Sequence, residues 1–174
     1  MNLNNYFELF GLPPRYRIDR AQLDAAFRDV AARVHPDKFA NAADADRRAA
    51  MQWSTAVNEG YQALKSPIKR AEHLLKLAGH EVNAHTNTAM PREFLMQQMQ
   101  WREALDEARS AKDEAQLDEL YLLVMDSHRA KTQQLAQMLD DAPDPAAATA
   151  AVRELMFIDK FKEEVASALD AINA

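Results

Sequence analysis

The stretch LDAAFRDVAARVHPDKF, residues 23–39, decides the fold. Leu23, Phe27, Val30 and Val34 recur at i, i+4, i+7 and i+11, a single apolar stripe at the helical period. Asp19, just upstream, is of a residue type that caps helix N-termini by accepting a backbone N–H. Pro36 stops the helix, because it has no N–H to donate and its ring disfavours helical geometry in the residue before it. The spacing therefore predicts an amphipathic helix that gives way, at His35-Pro36-Asp37, to a turn.

Working outward, Tyr6, Phe7, Leu9 and Phe10 form a short aromatic-rich segment closed by Gly11 and Pro13-Pro14, which reads as a brief first helix. On the other side a polar, alanine-rich loop through Asn41 and Asp44 leads to a helix with Ala50, Ser54, Val57, Tyr61 and Leu64 inward and Trp53 beside them. Gly60 weakens that helix slightly. Pro67 opens a further short helix with Ile68, Ala71, Leu74 and Leu75 inward, and Gly79 ends it. Two antiparallel helices joined by a loop that begins with His-Pro-Asp thus form the centre of a domain over residues 1–79.

Residues 80–89 have no helical stripe and several turn-prone side chains, and read as a linker. Beyond them a domain over 90–174 is expected. One helix starts at Pro91 and runs to about Ser110, and a second runs from about Asp113 to Leu139, with Leu117, Leu120, Tyr121, Val124, Leu135 and Met138 available to the core. Asp144 and Pro145 are placed to cap and open a third. Three long helices with short connections predict an antiparallel bundle. With only 3 glycines in 174 residues, the whole chain reads as all-α.

Composition narrows the chemistry. The chain contains no cysteine, which excludes disulfides, zinc–thiolate sites and protein thiolates as ligands for an iron–sulfur cluster. The N-terminal residues have neither a basic region nor an apolar run of signal-peptide length, and no segment approaches a membrane span, so a cytoplasmic address is expected. The net charge of −6 divides unevenly: residues 1–80 carry twelve Lys/Arg against nine Asp/Glu, and residues 81–174 nine against eighteen. A second half at −9 argues against nucleic acid, whose phosphates need a basic surface.

Three residues alone are weak evidence, but the context of His35-Pro36-Asp37 is specific: a preceding amphipathic helix, a polar loop, a second antiparallel helix and a short aromatic leader. This arrangement resembles the J domain. Pro36 stiffens the turn, Asp37 offers a carboxylate able to take a charge-assisted hydrogen bond from a partner arginine, and His35 can orient either that carboxylate or the turn. The resemblance implies docking on a heat-shock-protein-70-type chaperone and stimulation of ATP hydrolysis there, with the hydrolytic machinery belonging to the partner. Arg28, Arg33 and Lys38 match the basic surface that J domains present, whereas Asp24 and Asp29 stand where many relatives are basic. That dilution points to a dedicated partner chaperone; a solvated helix face accounts for the same charges.

In the helix beginning at Pro91, a 100° step per residue puts Phe94, Trp101, Leu105 and Ala108 on one face. Leu95, Met96 and Met99 fall on another, with Glu103. Either neighbouring packing buries both faces, or the second is an exposed apolar patch edged by a carboxylate, as a partner site requires.

Across essentially the whole chain the sequence resembles the HscB family, the J-type co-chaperones of iron–sulfur cluster biogenesis. The segments that carry the likeness are Tyr6-Phe7-Glu8-Leu9-Phe10-Gly11-Leu12, His35-Pro36-Asp37-Lys38-Phe39, Pro67 with Arg70-Ala71-Glu72-His73-Leu74-Leu75, Glu93-Phe94-Leu95-Met96 and Arg102-Glu103. The resemblance implies a partner chaperone of the HscA type and a client scaffold of the IscU type. It also implies a client surface of Leu95, Met96, Met99, Gln100 and Glu103, joined by Phe157 from the last helix. Two positions depart from the family pattern: methionine stands at 99, where leucine is as common, and Gln100 where an acidic residue is common. Phe157 lies on the flank of its helix, suited to core or site.

Other constellations carry less. His73, His80, His85 and His128 have no metal-ligand spacing, so no metal and no cofactor are expected. Glu103 and Glu107 at i, i+4 read as a solvated acidic face, no nucleophile motif is present, and Trp53 and Trp101 read as core. The expectation is a non-enzymatic adaptor that activates a partner's ATPase. The alternatives are a J protein serving another client and, more remotely, a small hydrolase using His35 and Asp37.

Overall fold

The computed structural model describes residues 3–82 and 90–173, and among them every regular element is helical. The chain divides into two compact units, Met1–Gly79 and His80–Ala174.

The first unit consists of α1 (Tyr6–Leu9), α2 (Arg20–Val34), a 3₁₀ turn (Pro36–Phe39), α3 (Asp44–Lys65) and α4 (Pro67–Leu77). Asp19 caps α2 by accepting the N–H groups of Ala21 and Gln22 at 2.8 and 3.3 Å. Ser66 caps α4, Pro67 opens it, and Gly79, at φ +82°, takes the chain off its end. Leu23 and Val30 of α2 meet Val57 and Leu64 of α3, and Phe7, Leu9 and Phe10 complete the same core.

Two residues have larger roles than the sequence suggested. A Cβ on Gly60 would stand 2.8 Å from the ring of Tyr6 and 3.3 Å from that of Phe10, so this glycine is the point where α1 lies against α3 rather than a mere weak link. His73 is buried, accepts the N–H of Tyr6 on Nε2 at 3.1 Å, and stacks on the Tyr6 ring with centroids 4.4 Å apart. It satisfies a backbone donor at the start of α1 that has no partner within that helix. Burial, and then the charge of Lys76, push its pKa below the ordinary 6.5 and keep it neutral, as an acceptor must be.

The second unit contains α5 (Arg92–Ala111), α6 (Glu114–Ala136), a π-helical turn (Gln137–Asp141) and α7 (Pro145–Asn173). Lys112 ends α5 in the left-handed region at φ 51°, Asp113 caps α6, and Asp144 caps α7 through the N–H of Ala147 at 3.0 Å. The α-helical part of α6 stops at Ala136, short of the expected Leu139, because the chain widens to an i→i+5 register in which Ala142 donates to the Gln137 carbonyl at 2.9 Å. Phe94, Trp101 and Leu105 pack with Leu117, Leu120 and Val124 and with Ile158, Phe161 and Val165 in one continuous core. Between α6 and α7, Lys131 and the buried Glu154 pair at 2.6 Å. Val82 is buried in this unit, its carbonyl accepting from Arg153 Nε at 2.8 Å; residues 83–89 of the expected linker lie outside the described residues.

Candidate functional site

The first candidate surface is the turn after α2. The N–H of Lys38 donates to the His35 carbonyl at 3.0 Å and that of Ala40 to the Asp37 carbonyl at 3.3 Å, which closes the 3₁₀ turn that Pro36 begins. His35 Nδ1 accepts the N–H of Asp37 at 3.3 Å. An imidazole that accepts on Nδ1 has Nε2 as its donor nitrogen. Of the two roles open to His35 in the sequence, it takes that of bracing the turn, while its Nδ1 stays 3.6 Å from the Asp37 carboxylate. That carboxylate is 91% exposed. It is presented to solvent on a stiff backbone.

Arg28, Arg33 and Lys38 are all exposed on the same unit. Arg33 faces Asp29 at 3.6 Å with both side chains largely in water, a pairing that solvent screens and a partner could displace. Asp24 differs. Its carboxylate accepts from Arg20 at 2.8 Å and from the Tyr61 hydroxyl at 3.0 Å, tying α2 to α3. Burial raises its pKa, but these hydrogen bonds outweigh that effect and hold the carboxyl below its ordinary range. Its negative charge is thus committed to the scaffold of the domain. Beside the turn a largely apolar cleft is lined by Val30, Val34, Phe39, Ala49, Ala50 and Trp53 together with the charged Arg33 and Asp46, with neither His35 nor Asp37 in its wall. The half-buried Trp53 borders this cleft instead of lying fully in the core.

The second candidate surface is on α5. Phe94, Trp101, Leu105 and Ala108 are buried, whereas Leu95, Met96 and Met99 are 45%, 53% and 72% exposed. Neighbouring helices therefore bury one apolar face of α5 and leave the other open. Gln100 and Glu103 are exposed on the same helix. Leu95, Met99 and Glu103 line one groove together with Gln98, Arg102, Asp106 and Glu107. Met96, Gln100 and Phe157 are not part of its lining. Phe157 is half-buried, edge-on to Phe94 with centroids 5.8 Å apart and stacked on Phe161 at 6.2 Å, so it sits on the rim of the core.

Sequence reasoning passed over Arg102, Asp106 and Glu107 as groove residues. The spacing 95, 99, 102, 106 is an i, i+4, i+7, i+11 stripe, apolar at its first two positions and charged at its last two, which puts Arg102 and Asp106 in line with Leu95 and Met99 but does not say which flank of the helix is grooved. Arg102 also fixes the helix: it makes two hydrogen bonds to Glu164 of α7, at 2.7 and 3.3 Å, and lies over the ring of Phe161. The hydrogen bond from Arg102 holds the Glu164 carboxyl below its ordinary range despite partial burial. Leu122 and Leu123 of α6 are exposed as well, a second apolar pair that periodicity did not bring out.

Among the described residues, no group of three or more His, Cys, Asp or Glu side chains is placed to hold a metal ion, and no helix is long and apolar enough to cross a membrane.

Residues 90–166 match the family model described as the HSCB C-terminal oligomerisation domain. The chain is 48% identical to the co-chaperone protein HscB homolog of Ralstonia nicotianae over 170 residues, which cover 98% of this chain and 97% of that protein. It is 48% identical to the homolog from Azoarcus over 168 residues, 97% of this chain and 95% of that one. Among solved structures, chaperone HscB from Vibrio cholerae superposes with a TM-score of 0.84 at 39% identity, covering 97% of this chain and 99% of that one. Human co-chaperone protein HscB gives 0.85 at 28% identity, covering 92% of this chain and 79% of that one. With an all-helical fold that carries a His-Pro-Asp turn between antiparallel helices and a helical C-terminal unit, and with relatives this similar over nearly its whole length, the chain belongs to the HscB family of co-chaperones.

Proposed function

We propose that this co-chaperone stimulates ATP hydrolysis by a heat-shock-protein-70-type chaperone of the HscA type and delivers to it an iron–sulfur scaffold protein of the IscU type. The observation that carries the reading is the exposed, apolar outer face of α5, in a chain whose other unit presents Asp37 on a braced turn. Asp37 takes a charge-assisted hydrogen bond from an arginine of the chaperone, with His35 and Pro36 holding the turn and Arg28, Arg33 and Lys38 steering an acidic partner surface. Leu95, Met96 and Met99 bury apolar area on the scaffold, Glu103 and Gln100 supply polar contacts at the edge, and Phe157 supports the face through Phe94.

The protein itself performs no chemistry in this reading. It raises the effective concentration of client at the chaperone by joining two binding surfaces in one chain. The domains are 1–79 for the chaperone and 90–174 for the client, with 80–89 between them, and the place of action is the cytoplasm. Titration of the full chain into the scaffold, in parallel with steady-state ATPase assays of the chaperone, tests both halves. Saturable scaffold binding and a stimulated ATPase are expected; ATP turnover by the chain alone, or a chaperone that ignores it, would overturn the proposal.

A further inference from the structure

We infer that Met96 and Met99 form an oxidation-sensitive site, through which a two-electron oxidant such as hydrogen peroxide releases the client from the co-chaperone. The inference rests on the client face proposed above.

Of the chain's 8 methionines, these two lie one helical turn apart on the open face of α5, at 53% and 72% exposure. Met90, also in the second unit, is half-buried against the core, and its sulfur accepts the Gln98 side-chain amide at 3.2 Å. Met125, Met138 and Met156 are half-buried too. Met51 is exposed, but on α3 of the other unit. Within the second unit an oxidant therefore reaches the sulfurs of the α5 face first.

The reaction transfers one oxygen atom from peroxide to the thioether. The O–O bond breaks, an S–O bond forms, sulfur gives up two electrons, and water leaves. A dithiol-dependent methionine sulfoxide reductase reverses it, taking up two electrons and two protons from the thiols. The product is a polar group carrying a strong acceptor where an apolar one had been, so pressing it against an apolar partner strands that acceptor without a donor. The neighbours divide the effect. Gln100, one turn beyond Met96, has an amide able to donate to a sulfoxide oxygen, whereas Glu103, one turn beyond Met99, has an ionised carboxylate that can only accept. Arg102 is held toward α7 by its two hydrogen bonds to Glu164. Oxidation of Met99 should thus weaken the client contact more than oxidation of Met96. Neither side chain belongs to the buried core, so the bundle stays folded.

The test treats the full chain with hydrogen peroxide, removes the excess with catalase, maps sulfoxides by peptide mass spectrometry and titrates the product into the IscU-type scaffold. Met96 and Met99 should oxidise several-fold faster than Met90, Met125, Met138 and Met156, and affinity should fall at least about tenfold, about 1.4 kcal/mol, with helical content unchanged. Sulfoxide reductase should restore it. The double variant Met96→Leu, Met99→Leu, compared with its own affinity before peroxide, should be insensitive, and Met99→Leu alone should protect more than Met96→Leu. Affinity that survives oxidation of both residues overturns this inference while leaving the client face intact, as does equal loss in the double variant. Absence of scaffold binding before any peroxide is added overturns the client reading and this inference with it.

Discussion

The turn at His35-Pro36-Asp37 and the outer face of α5 are both open to solvent, yet opposite means hold them in place. The turn is positioned by its own backbone: Pro36 sets its entry, Lys38 and Ala40 close it, and His35 Nδ1 caps the N–H of Asp37. Its proposed working group is one charged side chain. The α5 face is positioned by what lies behind it, the buried Phe94, Trp101 and Leu105 and the tie from Arg102 to Glu164, and its proposed working property is apolar area. A charge on a turn is lost by changing one atom and is sensitive to salt; an apolar face tolerates isosteric exchange and fails when area is removed. The two surfaces should therefore respond to different perturbations.

The largest effect should come from Asp37→Asn, which keeps the shape of the side chain and removes its charge. Chaperone stimulation should drop by at least about tenfold, the scale of a lost charge-assisted hydrogen bond. Scaffold affinity should be unchanged by titration calorimetry. A matching loss of scaffold affinity would break the separation of the two surfaces.

Next, Leu95→Ala with Met96→Ala should weaken scaffold binding by roughly 10- to 100-fold, about 1.4–2.7 kcal/mol for the two truncations together. Thermal unfolding should hardly change. Phe161→Ala sharpens the contrast: that ring is fully buried, and its removal should cost about 3–5 kcal/mol of stability. A collapse of stability in the Leu95/Met96 variant would assign those side chains to the core.

Smaller again, Gly60→Ala should destabilise the first unit by roughly 1–3 kcal/mol, because the added methyl runs into the Tyr6 ring and α1 must shift. The unfolding of the second unit should be unaffected, with hydrogen exchange resolving the two.

The smallest effect is one of pH. Folding lowers the pKa of His73, so the unfolded chain binds more protons over the window between the lowered value and the ordinary 6.5. The stabilisation from neutral His73 is complete above 6.5 and is lost as pH falls below it toward the depressed value. His128 is shifted the same way, by burial and then by Lys162, with Asp159 opposing, so both units should soften in acid. His73→Gln should remove the response of the first unit alone, as exchange between pH 7.5 and 5.5 would report.

How much of this was legible in the sequence depends on whether a residue's role is local. Asp19 and Asp144 act within a turn of themselves, and each was readable as a cap; Asp113, also a cap, was readable as the start of its helix. The stripe Leu23, Phe27, Val30, Val34 and the two faces of α5 follow from one helix's periodicity. Gly60 and His73 act across the fold: the nearest neighbours of one come from α1 and the residue just after it, and the partner of the other is the N–H of Tyr6, 67 positions away. Nothing local distinguishes them from a helix-weakening glycine and a scattered histidine. Asp24 is similar, since only the approach of Tyr61 from α3 turns an apparent dilution of a basic face into a staple between helices. The groove shared by Asp106 and Glu107 needed the orientation of α5 in the bundle, which periodicity alone leaves open.

The most direct measurement of the central claim is steady-state ATPase activity of the HscA-type chaperone, with and without the IscU-type scaffold, titrated with the unmodified chain, with Asp37→Asn and with Leu95→Ala, Met96→Ala. Asp37→Asn should fail to stimulate in either condition, while Leu95→Ala, Met96→Ala should stimulate normally without scaffold and lose only the increment that scaffold adds. Stimulation by Asp37→Asn equal to that of the unmodified chain would contradict the account.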